Sequence, residues 1–83
     1  MKYYVYLIAS FHNNKLITYA GYTNNLKKRL SLHNSGKGAK FTKGRTWKLI
    51  YFEKYKSRKE AINREYYIKK DRKYRNLIKN KYK

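Results

Sequence analysis

Residues 3–9 alternate without a break, and neither side of the alternation is polar. Tyr3, Val5, Leu7 and Ala9 fall on one side, Tyr4, Tyr6 and Ile8 on the other. A strand of this kind must be covered on both faces, so the chain has to supply a layer above it and a layer below. His12-Asn13-Asn14 is a turn signal, and Lys15 to Gly21 reads as the returning strand. The chain therefore opens as a hairpin of two aromatic-rich strands.

Thr23 and Asn24 offer N-cap oxygens, and Leu26, Leu30 and His33 recur at helical spacing, which predicts a helix from about Asn25 to Asn34. Asn34-Ser35-Gly36 ends it, and Lys37 to Arg45 is a basic loop containing Gly38 and Gly44. Trp47 to Tyr55 returns to strand, with Trp47, Leu49, Tyr51, Glu53 and Tyr55 on one face and Ile50 and Phe52 on the other. Ser57-Arg58-Lys59-Glu60 fits a capping box. The helix after it places Ala61, Ile62, Glu65 and Ile68 on one side. Asp71 can cap a last short helix with the stripe Tyr74, Leu77 and Ile78, leaving Lys79 to Lys83 as a frayed basic tail. The order is β-β-α-β-α-α. Without proline, internal repeat or linker, residues 1–83 read as one α+β domain.

A chain of 83 residues has room for one modest core, since domains near this size bury only roughly 60% of their unfolded surface. Cysteine is absent, which removes disulfides and thiolate zinc sites, and His12 and His33 alone cannot build a structural zinc site. The apolar run Val5 to Ala9 is too short for a signal segment or a membrane span, so the expected compartment is the cytoplasm, with no membrane partner. Against 23 Lys and Arg stand only 4 Asp and Glu. AT-rich codon usage favours Lys, Asn, Tyr and Ile, but it does not remove acids. Their scarcity points to a polyanionic partner, most simply DNA, with RNA as the other possibility.

With four carboxylates in the chain, each can be asked for its reason. Glu60 belongs to a capping box and Asp71 to a helix cap. Glu53, near a strand end, can face a neighbouring Lys or Arg. Glu65 has no such local account, because it lies inside an apolar stripe. A carboxylate there needs a cation, either Arg64, Lys69 or Arg29, or a metal ion. One Mg²⁺ (or Mn²⁺) suits a single carboxylate, since Mg²⁺ keeps several waters and takes the remaining ligands from substrate phosphate. Arg29 and His33 stand four apart on one helix face. The first can fork onto phosphate oxygens, and the second can accept or relay a proton near neutral pH. Most of the 11 tyrosines are ordinary packing residues. Tyr6 and Tyr19 differ in that antiparallel pairing can bring their hydroxyls together. Gly21 fits a place where the backbone needs freedom or close approach.

Tyr4-Val5-Tyr6, Tyr19-Ala20-Gly21, the Arg29–His33 pair and Glu65 occur in an order that resembles the GIY-YIG nuclease family. Tyr4 stands in place of the first glycine of GIY and Ala20 in place of the isoleucine of YIG. The middle segment, His33-Asn34 through Gly38-Ala39-Lys40-Phe41-Thr42, resembles the small stand-alone branch of that family. The resemblance spans roughly Tyr3 to Ile78 and implies a three-stranded antiparallel sheet flanked by helices. It also implies Tyr6, Tyr19, Arg29 and His33 as catalytic residues, Glu65 as the metal-binding carboxylate, and phosphodiester hydrolysis with one divalent ion.

No recognition domain accompanies these motifs, which favours reading of DNA shape (branched, nicked or single-stranded regions) over base readout. Lys28, Lys37, Lys40, Thr42, Lys43 and Arg45 are the expected backbone contacts. The competing class is a basic nucleic-acid-binding module without catalysis. Either class predicts steep salt dependence. In a filter-binding or anisotropy titration with duplex DNA, log K is expected to fall with log[salt] at a slope of about −0.9 per phosphate neutralised, and a flat response would exclude phosphate contact as the driving force.

Overall fold

The computed structural model describes residues 2–82. Its centre is the strand whose two apolar faces demanded cover. β1 (Tyr3–His12) lies between β2 (Lys15–Thr23) and β3 (Lys48–Tyr55) in an antiparallel sheet of order β2-β1-β3. Val5 to Ser10 are all buried. α1 (Leu26–Asn34) packs on the face carrying Tyr6 and Ile8. α2 (Arg58–Lys70) and α3 (Arg72–Tyr82) pack on the face carrying Val5, Leu7 and Ala20. The α+β class and the order β-β-α-β-α-α are those expected from the sequence.

The hairpin runs longer than its sequence pattern indicates. Asn13 and Asn14 both adopt positive φ, 50° and 63°, the pair of conformations that a tight hairpin turn requires. β1 therefore reaches His12, which pairs with Lys15. Asn25, rather than Thr23 or Asn24, caps α1. It is extended, and its Oδ1 accepts from Lys28 N at 3.0 Å, while Thr23 Oγ1 accepts from Asn25 N at 3.1 Å. The helix closes with a Schellman arrangement at Gly36, whose φ is 81°: Gly36 N donates to His33 O and Lys37 N to Leu32 O.

Three side-chain placements depart from the sequence reading. The register against β1 shifts between Leu7 and Ile8, which pair with Tyr51 and Leu49. Ile50 is thus an extra, bulged residue. The bulge sends Trp47 and Leu49 to the α1 face and Tyr51 and Tyr55 to the α2–α3 face, so the expected single face is split in two. Ile62 and Leu77 are exposed, because Ala61 with Ile68, and Tyr74 with Ile78, already fill the narrow strip each helix presents to the sheet. Lys79 to Tyr82 continue α3 rather than fraying, and Lys83 lies outside the described residues.

Ser57 Oγ accepts from Glu60 N at 3.2 Å, the cap bond that the signature predicts, and its hydroxyl donates to Glu60 Oε1 at 3.0 Å. Asp71 Oδ1 accepts from Tyr74 N and starts α3. Glu53 joins β3 to α2. Arg64 grips it with two bonds of 2.8 and 3.0 Å, and the Tyr51 and Tyr55 hydroxyls donate to it. Tyr51 meets Tyr74 of α3 at 2.7 Å. No helix among the described residues is long and apolar enough to cross a membrane.

Burial pushes the Glu53 carboxyl up, but Arg64 and the two phenols outweigh it and bring it from 4.5 down to about 2. Because the folded value lies below the unfolded one, this stabilisation is present above pH 4.5 and is lost as pH falls toward 2. Glu53→Gln is expected to lower unfolding free energy at neutral pH by about 1–3 kcal/mol and to flatten that acid limb, as read by denaturant melts across pH.

Candidate active site

Tyr6 and Tyr19 come to one site because of register. Tyr6 pairs with Gly21 and Ile8 with Tyr19, so both tyrosines rise from the α1 face of adjacent strands. A side chain at Gly21 would block this: a Cβ there would overlap the Tyr6 hydroxyl and lie 2.6 Å from its Cζ. Gly21 is thus a close-approach glycine over which the Tyr6 ring passes toward the edge of the sheet. The ring ends at His33, with Tyr6 Oη 2.8 Å from Nε2. The Tyr19 ring meets the imidazole edge-on at 5.3 Å.

The other side of His33 is equally constrained. Nδ1 lies 2.9 Å from Thr42 Oγ1, and that hydroxyl donates to Ala39 O at 3.0 Å. Thr42 has one hydrogen, and it is used on Ala39. Nδ1 must therefore carry the imidazole proton and donate to Thr42, leaving the Nε2 lone pair to accept from Tyr6. The result is a directed chain from Tyr6 through His33 and Thr42 to Ala39 O. A Cβ on Gly38 would lie 2.7 Å from His33 Cγ, so only glycine allows the loop to close over the ring. Thr42 is also held from behind, since Trp47 Nε1 donates to Thr42 O at 2.8 Å. Trp47 in turn is fixed by Asn34, whose side chain accepts from Trp47 N and donates to Trp47 O.

Both members of the Tyr6–His33 pair are neutral at neutral pH. Burial raises the Tyr6 phenol well above its usual range against the opposing pull of Arg29, and Tyr19 and Glu65 push in the same direction as burial. Desolvation thus outweighs the cationic pull of Arg29 on this phenol. Burial first, then Arg29, holds His33 below its usual 6.5.

Arg29 is half-buried, and its guanidinium makes no hydrogen bond or ion pair among the described residues. It lines a depression of about 300 Å³ with Tyr3, Tyr22, Thr23, Asn24 and Arg58. Glu65 approaches from α2, and its side chain is 18% exposed. Arg64 is committed to Glu53, so the remaining cation is Lys69, at 3.8 Å. Lys69 also lies over the Tyr19 ring, 5.7 Å from its centroid. Glu65 is thus the carboxylate with the weakest protein partner, and its charge is felt at Tyr6. No cluster of three metal-ligating side chains occurs among the described residues. One half-shielded carboxylate fits a hard cation whose other ligands are water and phosphate.

Lys28, Lys37, Lys40 and Lys43 are exposed, and Arg45 is half-buried with Nη1 unpartnered. Thr42 differs from expectation. It is wholly buried and bonded to His33, so it is not a surface contact for a nucleic-acid backbone. Its role, with those of Asn34 and Gly38, escapes sequence reading because contacts nine and thirteen residues apart across a loop leave no periodic trace.

Imidazole nitrogen shifts should show His33 as the Nδ1–H form, titrating below 6.5. Thr42→Val is expected to mix the two tautomers and Thr42→Ser to restore the single form. An Nε2–H imidazole in the unmodified protein would refute the assigned chain. The folded pKa is depressed, so the stability linked to His33 is intact above pH 6.5 and declines below it.

Known proteins resemble this chain in sequence and fold. The family model of the GIY-YIG catalytic domain matches residues 2–83. A UPF0213 protein of Clostridium perfringens is 58% identical over 53 residues, covering 63% of this chain and 57% of that protein. One from Bacillus licheniformis is 57% identical over 53 residues, covering 63% of this chain and 55% of the relative. The chain spans a little over half the length of these two relatives. A UPF0213 protein of Staphylococcus haemolyticus is 46% identical over 69 residues, with 82% of this chain and 80% of the relative covered. The solution NMR structure of a UPF0213 protein from Bacillus halodurans is similar at a TM-score of 0.51 and 34% identity, over 96% of this chain and 84% of that one. Sheet order, motif spacing and these matches agree: the chain belongs to the GIY-YIG nuclease family.

Proposed function

We propose that this protein is a metal-dependent endonuclease that hydrolyses DNA phosphodiester bonds and selects its substrate by structure rather than sequence. The observation that carries this reading is the Tyr6–His33 hydrogen bond of 2.8 Å, set within the fields of Arg29 and Glu65. A neutral phenol is a poor base by itself, but one that already donates to a neutral imidazole can relay. As water gives a proton to Tyr6 Oη, the phenol hydrogen passes to His33 Nε2, and the water oxygen attacks phosphorus. The P–O3′ bond breaks, leaving a 5′-phosphate and a 3′ oxygen that takes a proton from solvent. Arg29, free of partners among the described residues, stabilises the charge that builds on the non-bridging oxygens. Tyr19 packs against His33 and helps hold the imidazole. Glu65 would hold Mg²⁺ or Mn²⁺, which supplies Lewis-acid stabilisation of the phosphate and the departing 3′ oxygen. The exposed lysines of the loop and of α1 supply backbone contact.

Labelled duplex, single-stranded and branched DNA should be cut by the purified protein with Mg²⁺ or Mn²⁺. Cutting should disappear in EDTA and in Glu65→Gln. His33→Ala is expected to slow cutting by roughly 10²–10⁴-fold, the usual scale of general acid–base assistance. The kcat/KM profile, which reports the free protein, should hold above pH 6.5 and fall only below it, since His33 must be neutral to accept the proton. Salt-sensitive binding without cleavage under any of these conditions would instead identify a non-catalytic nucleic-acid-binding module.

A further inference from the structure

Phe41 stands at the crest of the basic loop with 53% of its surface exposed. Its inner face is not idle. The ring stacks on Tyr19 at 5.9 Å and 20°, and tilts against Trp47 at 6.3 Å. Tyr19 touches His33, and His33 bonds Tyr6. Phe41 is therefore the outermost ring of an aromatic column that starts at the proposed relay. Other exposed phenylalanines lack this connection: Phe11 is at the hairpin end, and Phe52 leans on Tyr4. Lys40 and Lys43 flank Phe41 and are exposed. The next residue, Thr42, is buried and held by Trp47 and His33, so the column is fixed before any ligand arrives.

We propose that the outer face of Phe41 is a stacking site for an unpaired nucleobase beside the Tyr6–His33 site, with Lys40 and Lys43 on the adjoining phosphates. This rests on the nuclease reading and supplies its structural selectivity. A base inside a duplex has both faces covered by its neighbours, whereas a base in a flap, at a nick or in a single strand can offer one. Phe41 would thus distinguish interrupted from continuous DNA without reading sequence.

The test uses the full chain in EDTA, so that binding is read without cutting. The probes are a single-stranded oligonucleotide with 2-aminopurine placed at each position in turn, the same sequence as duplex, and a flapped duplex. Quenching of the probe is expected with the single strand and the flap. Phe41→Leu, which keeps an apolar contact to Tyr19 and Trp47, should lose the quench and roughly tenfold or more in single-strand affinity, with duplex affinity unchanged. Phe41→Tyr should retain both. Unaltered quenching in Phe41→Leu, or an equal loss on single strand and duplex, would overturn the proposal while leaving the nuclease reading intact. Residue-41-dependent quenching by a protein that never cuts with Mg²⁺ would do the reverse. Failure to bind any of the three probes would overturn both.

Discussion

With both faces of β1 occupied by side chains and strands on both sides of it, Val5 to Ser10 are buried. That burial divides the molecule. Odd-numbered positions look toward α2 and α3, even-numbered ones toward α1. Tyr6 is thereby committed to the α1 layer, and Gly21 on the paired strand is the place where its ring can cross toward the edge. α1 arrives on that same face with His33 turned inward. The meeting of phenol and imidazole is a consequence of which way the central strand is dealt.

The loop after α1 turns that meeting into a directed contact. Asn34 and Trp47 close its base through two hydrogen bonds, Trp47 reaches back to Thr42, and Thr42 fixes His33. Each link is local in space and remote in sequence. A basic loop that would otherwise be a flexible polyanion-binding flap is instead tied to the imidazole at one point. The exposed residues on either side of that point, Phe41 and Lys43, inherit its rigidity.

The periodic parts of the fold were legible in the sequence. Two apolar faces at residues 3–9, an Asn-Asn turn, a capping box at Ser57 and a cap at Asp71 each act within a few residues, and each is present. What escaped was non-periodic. The bulge at Ile50 is invisible to a rule of alternation, because it shifts the phase of everything before it relative to everything after. Ile62 and Leu77 look like core by composition, yet a three-stranded sheet is too narrow to bury them. In the candidate site, Glu65 stands out by elimination from four acids, whereas Thr42, a hydroxyl in a basic loop, has the look of a surface contact and is buried against His33. Burial, which composition does not reveal, also decides the Tyr6 phenol, where it prevails over the pull of Arg29.

That last point bears on how the site can work at all in a chain of formal charge +19. A strong positive field attracts a polyanion but opposes protonation of an imidazole, and Arg29 adds to that opposition at His33. In the absence of substrate, the pair rests as neutral phenol and neutral imidazole, with no charge to solvate in a buried place. On the nuclease reading, a phosphate seated on Arg29 brings negative charge to the group that, after burial, holds the His33 value down. The same charge that the reaction must act on then makes His33 a better proton acceptor. On that reading the relay is quiet until its substrate arrives, and no second carboxylate beside His33 is needed to prime it.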